Sequence, residues 1–155
     1  MRISSLHTYP VKGCRRLDHH EAEVEPWGLA GDRRWMAIDP DGIGITQRTA
    51  SNLALLSVSA RPGGLRFHAP GRPDLDVDEP VDGPTEFVRV FSSKPPVSAR
   101  RLGRADVGAW LSEFLGRPAR RRFPDGLLFG LNLIPDVAPG ESGTIRVGEP
   151  VLDLP

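Results

Sequence analysis

Two short stretches near the amino terminus determine the predicted fold: Tyr9-Pro-Val-Lys-Gly-Cys14 and Gly28-Leu-Ala-Gly-Asp-Arg-Arg-Trp35. In the first, a predicted strand runs into a proline and then a glycine, which end the strand and place a lysine in the turn. In the second, a turn punctuated by glycines delivers Asp32 and Arg33 to the start of another strand. If both turns open on one side of a sheet, Lys12 and Arg33 form a cationic corner.

The composition excludes several classes of protein. The chain has 155 residues, which suits a single domain spanning residues 1–155, and its 20 basic and 20 acidic residues balance. That balance argues against a nucleic-acid partner. No apolar run is long enough to cross a membrane, and the amino terminus lacks the apolar core of a signal peptide. With one cysteine, which cannot form an internal disulfide, the sequence predicts a cytoplasmic protein that contacts neither nucleic acid nor membrane.

The alternation of apolar and polar residues predicts a mostly β protein. Short strands are expected over residues 2–9, 21–25, 34–39, 43–46, 53–58, 65–68, 75–77, 85–91, 120–123 and 144–154, the last as two strands around a turn. Residues 92–96 are predicted to be a loop. Because strands and helices do not alternate, the pattern favours a compact, mostly antiparallel β-barrel or sandwich.

One segment has helical periodicity. Val107, Trp110, Leu111 and Phe114 recur at the spacing of one helix face, which predicts an amphipathic α-helix over about residues 106–115. Asp106 is expected to cap its amino terminus, and Gly116 its carboxyl terminus.

The chemistry that the residue pattern supports is anion binding. A group of cations and an amide donor lies in the turns: Lys12, Arg33, Gln47 and Arg48. The arginine fork suits a carboxylate or phosphate, and lysine supplies a point charge. The alternative is an ordinary surface ion-pair network in which Asp32 partners the arginines. No metal site is predicted, because the histidine and cysteine residues lack the spacing of a four-ligand zinc site.

The same stretches, with others that follow in order, resemble the MOSC N-terminal β-barrel domain. This domain opens molybdenum-cofactor proteins related to the mitochondrial amidoxime-reducing component and the carboxyl-terminal region of molybdenum cofactor sulfurase. The matching motifs are Tyr9–Cys14, Gly28–Trp35, Asp39–Gly42, Thr46–Arg48, Leu53–Leu56 and, in the predicted helix, Ala109–Gly116. The resemblance implies a barrel over residues 2–124, completed by carboxyl-terminal strands within residues 127–155.

The resemblance also implies that part of the family pattern is missing. Residues 128–130 and 143–151 resemble the extreme carboxyl terminus of full-length members, so the central MOSC region has no counterpart between Pro124 and Leu127. In the family that region supplies the cysteine that ligates molybdenum, and Cys14 is not its equivalent. We therefore expect no bound molybdenum or other cofactor, although the resemblance places Lys12 and Arg33 near an anionic pterin.

The missing region is expected to leave an apolar surface that a ligand or a second copy of the chain covers. Candidates for this surface are Trp27, Trp35 and residues 127–133. The family commonly has serine where this chain has Gly13, so one hydroxyl donor is also absent from the expected pterin site.

The leading functional hypothesis is a barrel that binds a small organic anion. It extends to a cofactor-independent enzyme of specialised metabolism, cyclase-like or isomerase-like, and whether the chain is an enzyme stays open. The ligand-binding candidates are Lys12, Arg33, Gln47, Arg48 and Trp35, and the acid–base candidates are Lys12, Tyr9 and His7. Two alternatives are a non-catalytic partner-binding module and a degenerate protein that keeps weak binding of the molybdenum cofactor.

Overall fold

The computed structural model describes residues 1–26, 28–102, 104–116, 128–130 and 142–150, the segment 128–130 by its backbone. The strands in these ranges are β1 (Leu6–Thr8), β2 (Leu17–His19), β3 (Glu21–Glu25), β4 (Gly28–Leu29), β5 (Trp35–Met36), β6 (Ser57–Arg61), β7 (Gly64–His68), β8 (Leu75–Asp78), β9 (Thr85–Arg89), β10 (Pro96–Arg101), β11 (Leu128–Gly130) and β12 (Gly143–Arg146). A 3₁₀ helix spans Ser51–Leu55, and the α-helix α1 spans Ala105–Leu115.

The described strands form four antiparallel sheets. Their strand orders are β1-β2, β5-β11-β10-β9, β12-β3-β4 and β6-β7-β8. Two isolated parallel bridges, between Val11 and Trp35 and between Ile43 and Arg89, link segments outside these ladders. The prediction of a mostly β, mostly antiparallel fold with one α-helix is confirmed, and within the described ranges the strands make separate sheets rather than one closed ring.

Both carboxyl-terminal strands pair with amino-terminal ones. In β11, Leu128 lies opposite Met36 of β5, while its other edge pairs with β10. In β12, Ile145 lies opposite Ala22 of β3. Residues far apart in the chain therefore share two of the four sheets. The domain boundaries at residues 124 and 127 stay predictions, because they fall outside the described residues.

The helix packs its apolar face into the larger of two cores. Val107, Leu111 and Phe114 of α1 join Leu53, Phe67 and the other members of a buried cluster that also contains Trp35. Gly116 ends the helix with a left-handed backbone at φ 64°, as predicted. The predicted amino-terminal cap is wrong: Arg104 occupies that position, and Asp106 lies in the first turn, where its charge favours the positive end of the helix.

The second core is smaller and lies under the sheet that contains β5. It consists of Met36, Ile38, Val88 and Ala99, with Val90 and Val97 packed against it. Trp35 belongs to the larger core and Met36 to this one, because successive side chains of a strand point to opposite faces. The short strand β5 therefore separates the two cores.

The strand predicted over residues 53–58 is wrong in its first half. Residues Ser51–Leu55 form a 3₁₀ helix, which begins after the hydrogen-bonded turn at Thr46–Ala50. Leu53 and Leu56 are buried whereas Leu55 is exposed, which is a helical spacing rather than strand alternation. A continuous apolar run fits a buried strand as well as a helical turn, so the sequence pattern did not distinguish the two. The strand starts only at Ser57.

Three strands were not predicted: β2, β4 and β10. Of these, β10 begins at Pro96, the last residue of the predicted loop. Inside the strand only Val97 and Ala99 are apolar, so its alternation is weak. The first strand is also shorter than predicted, because β1 covers Leu6–Thr8 and Arg2 makes only an isolated bridge to Pro150. The strand predicted over residues 120–123 lies outside the described residues.

Within the described residues, α1 is too short to cross a membrane, and no other helix there is long and apolar enough to do so.

Two phenylalanines allow a matched test of the larger core. Phe67 is 0% exposed, whereas Phe87 is 79% exposed. We expect Phe67→Ala to lower the free energy of unfolding by about 3 to 5 kcal/mol, because it removes apolar contacts and leaves a cavity. Phe87→Ala should change it by less than about 0.5 kcal/mol. Urea unfolding followed by circular dichroism measures both, and equal losses in the two variants would contradict this assignment of the core.

Candidate functional site

Backbone hydrogen bonds hold the two amino-terminal motifs side by side. Arg33 N donates to Tyr9 O at 2.9 Å, Trp35 N donates to Pro10 O at 2.9 Å, and Lys12 N donates to Trp35 O at 2.8 Å. These bonds surround the parallel bridge between Val11 and Trp35. The turn carrying Lys12 and the turn carrying Arg33 are therefore neighbours in the fold, as the sequence predicted.

Side-chain hydrogen bonds join a third segment, residues 45–48, to the turn that carries Lys12. Lys12 Nζ donates to Ile45 O at 3.3 Å, and Gln47 Nε2 donates to Gly13 O at 2.8 Å. The segment is itself held in a turn by Thr49, whose hydroxyl donates to Thr46 O at 3.0 Å. We call the side chains Lys12, Arg33, Gln47 and Arg48 on these three segments the cationic corner.

Lys12 is half-buried, and its ammonium lies beside an aromatic ring, a backbone carbonyl and a closely packed glycine. Its Nζ lies 4.5 Å from the centre of the Phe91 ring. A Cβ atom built on Gly44 would lie 3.2 Å from Nζ and 2.6 Å from Met36 Sδ, so the lysine packs closely on the Gly44 backbone. Burial lowers the pKa of Lys12 from the ordinary lysine value. The face of the Phe91 ring is a favourable neighbour for a cation and acts in the opposite direction to this desolvation.

In the described part of the chain, no carboxylate lies within ion-pair distance of Lys12. The neighbours that it does contact are a backbone carbonyl and an aromatic ring. Buried charges in proteins are generally paired. The uncompensated ammonium is therefore the feature of the site that most needs an explanation.

Arg33 is held in a strained backbone conformation. Its φ of 52° is the only positive φ of a non-glycine residue in the described ranges, and such a residue points to a functional constraint. Asp32 stabilises the turn, since its Oδ1 accepts from Tyr9 N at 2.6 Å. The Arg33 side chain is 63% exposed, and its Nε lies 3.8 Å from Asp32 Oδ2. That contact is long, so most of the guanidinium is open to a ligand.

The remaining ligand-binding candidates differ in position. Arg48 is exposed, and Gln47 uses its amide on Gly13. Trp35 is only 4% exposed, so its ring supports the corner from the larger core and does not face solvent. Its proposed place on an uncovered apolar surface is wrong for that reason. The other candidates for that surface, Trp27 and most of residues 127–133, lie outside the described residues, and Leu128–Gly130 are described by their backbone.

The structure places His7 in a hydrogen-bonded chain of its own. His7 Nδ1 lies 2.7 Å from Asp18 Oδ1, and Nε2 lies 3.0 Å from Ser5 Oγ. A similar chain joins His68 to Ser59 and Asp74 in another sheet. Both carboxylates are well exposed to water. His7 therefore spends both ring nitrogens on residues outside the cationic corner, and of the acid–base candidates Lys12 is the one that the corner positions.

Cys14 packs as a small apolar residue. Its side chain is buried in the larger core, and burial raises the pKa of its thiol to about 12. A thiol in that environment stays protonated and is a poor nucleophile and metal ligand. Within the described residues, no group of three or more His, Cys, Asp or Glu side chains is placed to hold a metal ion.

Two features near the corner were missed from the sequence. Phe91 follows β9, and its contact with Lys12 depends on tertiary packing that spacing does not report. The second feature is an open cleft of about 290 Å³, lined by Arg34, Glu79, Pro80, Thr85, Ser98, Ala99 and Arg100. Most of this lining comes from β9, β10 and the segment after β8, and β10 was not predicted.

Residues 1–118 match the family described as the MOSC N-terminal beta barrel domain. The chain belongs to this family. A molybdenum cofactor sulfurase of Danio rerio is 32% identical over 124 residues, which cover 76% of this chain and 15% of the relative. The mitochondrial amidoxime-reducing component 1 of Mus musculus is 30% identical over 119 residues, covering 73% of this chain and 34% of the relative. The MOSC N-terminal domain thus spans a minor part of these relatives.

One solved structure is similar to this MOSC N-terminal domain at low identity. It is the solution structure of a protein from Bordetella bronchiseptica, with a TM-score of 0.49 and 20% identity, and the match covers 70% of this chain and 85% of that chain.

The strained turn yields a prediction that separates stability from binding. A left-handed backbone destabilises the folded state by about 1 to 2 kcal/mol when the residue is not glycine. A glycine at the same position avoids that strain, but it lowers the free energy of unfolding by about 0.4 to 1 kcal/mol because it increases the entropy of the unfolded chain. We therefore expect Arg33→Gly to leave the free energy of unfolding unchanged or raise it by up to about 1 kcal/mol. Arg34→Gly should lower it, because Arg34 is paired with Glu25. Thermal unfolding checks the pair, and a clear loss of stability in Arg33→Gly would disprove the strain.

Burial of Lys12 predicts a pH dependence of stability. The pKa of Lys12 is lower in the folded protein than in the unfolded chain, so between the two values the unfolded chain binds more protons. Lys12 then contributes a rise of the free energy of unfolding with pH through this alkaline window, whereas the raised pKa of the Cys14 thiol contributes a fall. We expect Lys12→Met to lose the contribution of Lys12, so that its slope against pH is more negative than that of Lys94→Met, which keeps both contributions. The two variants remove the only two lysines of the chain. Urea unfolding at a series of pH values measures the slope, and identical slopes in both variants would refute the prediction.

Proposed function

We propose that this MOSC N-terminal domain binds a small organic anion at the cationic corner. One observation carries the proposal: the ammonium of Lys12 is half-buried and has no carboxylate partner in the described part of the chain. An isolated charge in a desolvated position costs stability. A bound anion would compensate the charge, and their attraction would be stronger there than in bulk water.

The corner offers complementary donors for a phosphate or carboxylate. Lys12 would supply a half-buried point charge, and the exposed side chains of Arg33 and Arg48 would supply planar pairs of donors. Gln47 contributes by holding the Gly13 backbone in place. Gly13 itself has a φ of 82°, so the turn depends on glycine. This division gives one buried anchor and two mobile contacts.

The named activity of one group of relatives suggests the class of anion. The sulfurases are named for the molybdenum cofactor, and if the sequence resemblance holds at these positions, Lys12 and Arg33 would lie near an anionic pterin. The donors of the corner fit the anionic end of such a ligand. Cys14, protonated and buried, does not fit the role of a metal ligand. We therefore propose recognition of the anionic group by this domain, without assigning it a metal.

A catalytic role would rest on Lys12. Burial lowers the pKa of Lys12 from the ordinary lysine value, which is the direction that general acid–base work by this side chain requires. Arg33 and Arg48 would stabilise negative charge that develops on the bound anion. The cyclase-like or isomerase-like reaction of the leading hypothesis would use Lys12 for proton transfer, and Tyr9 is the second acid–base candidate.

A partner-binding module is favoured by a different observation. Phe87 is 79% exposed and Val81 is 74% exposed, and large exposed apolar side chains favour protein contacts when they cluster. Light scattering tests self-association, which Phe87→Ser should reduce if these side chains form the contact. A strictly monomeric protein that recovers no partner in a pull-down would contradict this alternative.

Pyrophosphate is a suitable probe of the cationic corner. We expect it to bind the full chain at low ionic strength, and Lys12→Met to weaken binding by about tenfold or more, which corresponds to the loss of a charge-assisted hydrogen bond. Lys94→Met is the matched control, since Lys94 is exposed and lies outside the corner. Isothermal titration calorimetry measures both affinities. If Lys12→Met and Lys94→Met bind pyrophosphate equally well, the corner is not the anion site.

A further inference from the structure

The open cleft beside β9 and β10 carries a second pair of uncompensated charges. Arg100 and Glu79 both line it, and in the described part of the chain neither side chain has an ion-pair partner. They do not pair with each other either, because their charged atoms are not within ion-pair distance. The cleft contains none of the four side chains of the cationic corner.

Arg100 is fixed in place and only partly satisfied. Its Nη1 donates to the backbone carbonyls of Pro80, at 3.3 Å, and Val81. Its Nε is shielded from water and has no hydrogen-bond acceptor. A guanidinium held against carbonyl groups keeps its full positive charge, so a carboxylate in the cleft would be attracted to it. Arg34 also lines the cleft, but it pairs with Glu25, so it adds little net charge.

Two hydroxyl residues, Thr85 and Ser98, and one acidic residue, Glu79, line the same cleft as Arg100. Thr85 lies directly opposite Arg100 in the β9–β10 ladder, and Ser98 lies two residues before Arg100 on the same face. Hydroxyl groups donate readily to a carboxylate. Glu79 follows β8, and its backbone N–H is fixed by a 2.7 Å bond to Gly63 O. Its carboxylate is exposed and free to accept a cation.

We propose that this cleft is a binding site for a small zwitterion, a free α-amino acid with a short aliphatic side chain. The carboxylate of the ligand would face Arg100, Thr85 and Ser98, and its ammonium would face Glu79. Pro80 supplies an apolar side chain of the lining. The volume of about 290 Å³ lies at the small end of ligand sites. Glu79 disfavours ligands that carry only negative charge.

The test uses L-alanine and two compounds that each carry half of its charge, acetate and methylammonium. Each is titrated at constant ionic strength into the ¹⁵N-labelled full chain, and the amide signals of Thr85, Ser98 and Arg100 are followed by NMR. We expect L-alanine to shift these signals with saturation. Acetate and methylammonium should each bind at least about tenfold more weakly than L-alanine, since each forms only one of the two ion pairs.

Matched variants assign the effect to the two charged residues. Arg100→Gln and Glu79→Gln should each weaken binding of L-alanine by about tenfold. Arg66→Gln should leave it unchanged, because Arg66 pairs with Asp76 at 2.6 Å in another sheet. Glu79 is exposed, so its variant keeps the test valid even if Arg100→Gln fails to fold. Absence of saturable shifts with L-alanine, or acetate binding as tightly as L-alanine, would overturn the proposal.

Discussion

The hydrogen bonds from Trp35 N to Pro10 O and from Lys12 N to Trp35 O hold the turn that carries Lys12 against the segment that carries Arg33. They join the turn at residues 9–14 to the start of β5, and β5 also separates the two hydrophobic cores. Because the Trp35 side chain is buried on one face, the backbone at this position cannot shift without disturbing the larger core. The position of Lys12 is therefore determined by the packing of Trp35 and Met36.

This arrangement favours binding at some expense of stability. The ammonium of Lys12 is desolvated without a compensating carboxylate in the described part of the chain, and Arg33 adopts a left-handed backbone that glycine would adopt freely. Both features lower the stability of the fold, and they occur in adjacent turns. Local rules of sequence and structure are most often broken at functional sites. Their coincidence supports the anion-binding proposal more strongly than either feature alone.

The sequence predicted those parts of the fold that depend on local patterns. The helix was found because Val107, Trp110, Leu111 and Phe114 repeat with helical period and Gly116 ends the run. The strand predicted over residues 65–68 from alternation lies within β7. The strand β10 was missed because its stability comes from pairing with β9 and β11, and only Val97 and Ala99 within it are apolar.

The same limit applies to the candidate site. The turns carrying Lys12 and Arg33 were predicted to be neighbours, because two glycine-rich motifs flank predicted strands. The features that make the corner unusual were not predicted. The cap of Phe91 over Lys12 comes from packing between distant segments. The positive φ of Arg33 was hidden by glycines on the same turn, since Gly28 and Gly31 already account for a left-handed bend there.

Gly13 lies where the sequence resemblance implies a serine, and its surroundings leave no room for a side chain. A Cβ atom at this position would lie 2.7 Å from Leu53 Cδ2, so the leucine of the 3₁₀ helix occupies the space that a side chain would need. Leu53 is fully buried and cannot readily move aside. In place of a side-chain hydroxyl, the Gly13 carbonyl accepts the amide of Gln47 and ties residues 45–48 to the corner. In the proposed anion site, recognition would then depend on Lys12, Arg33 and Arg48, whose charges act at longer range than a hydroxyl donor.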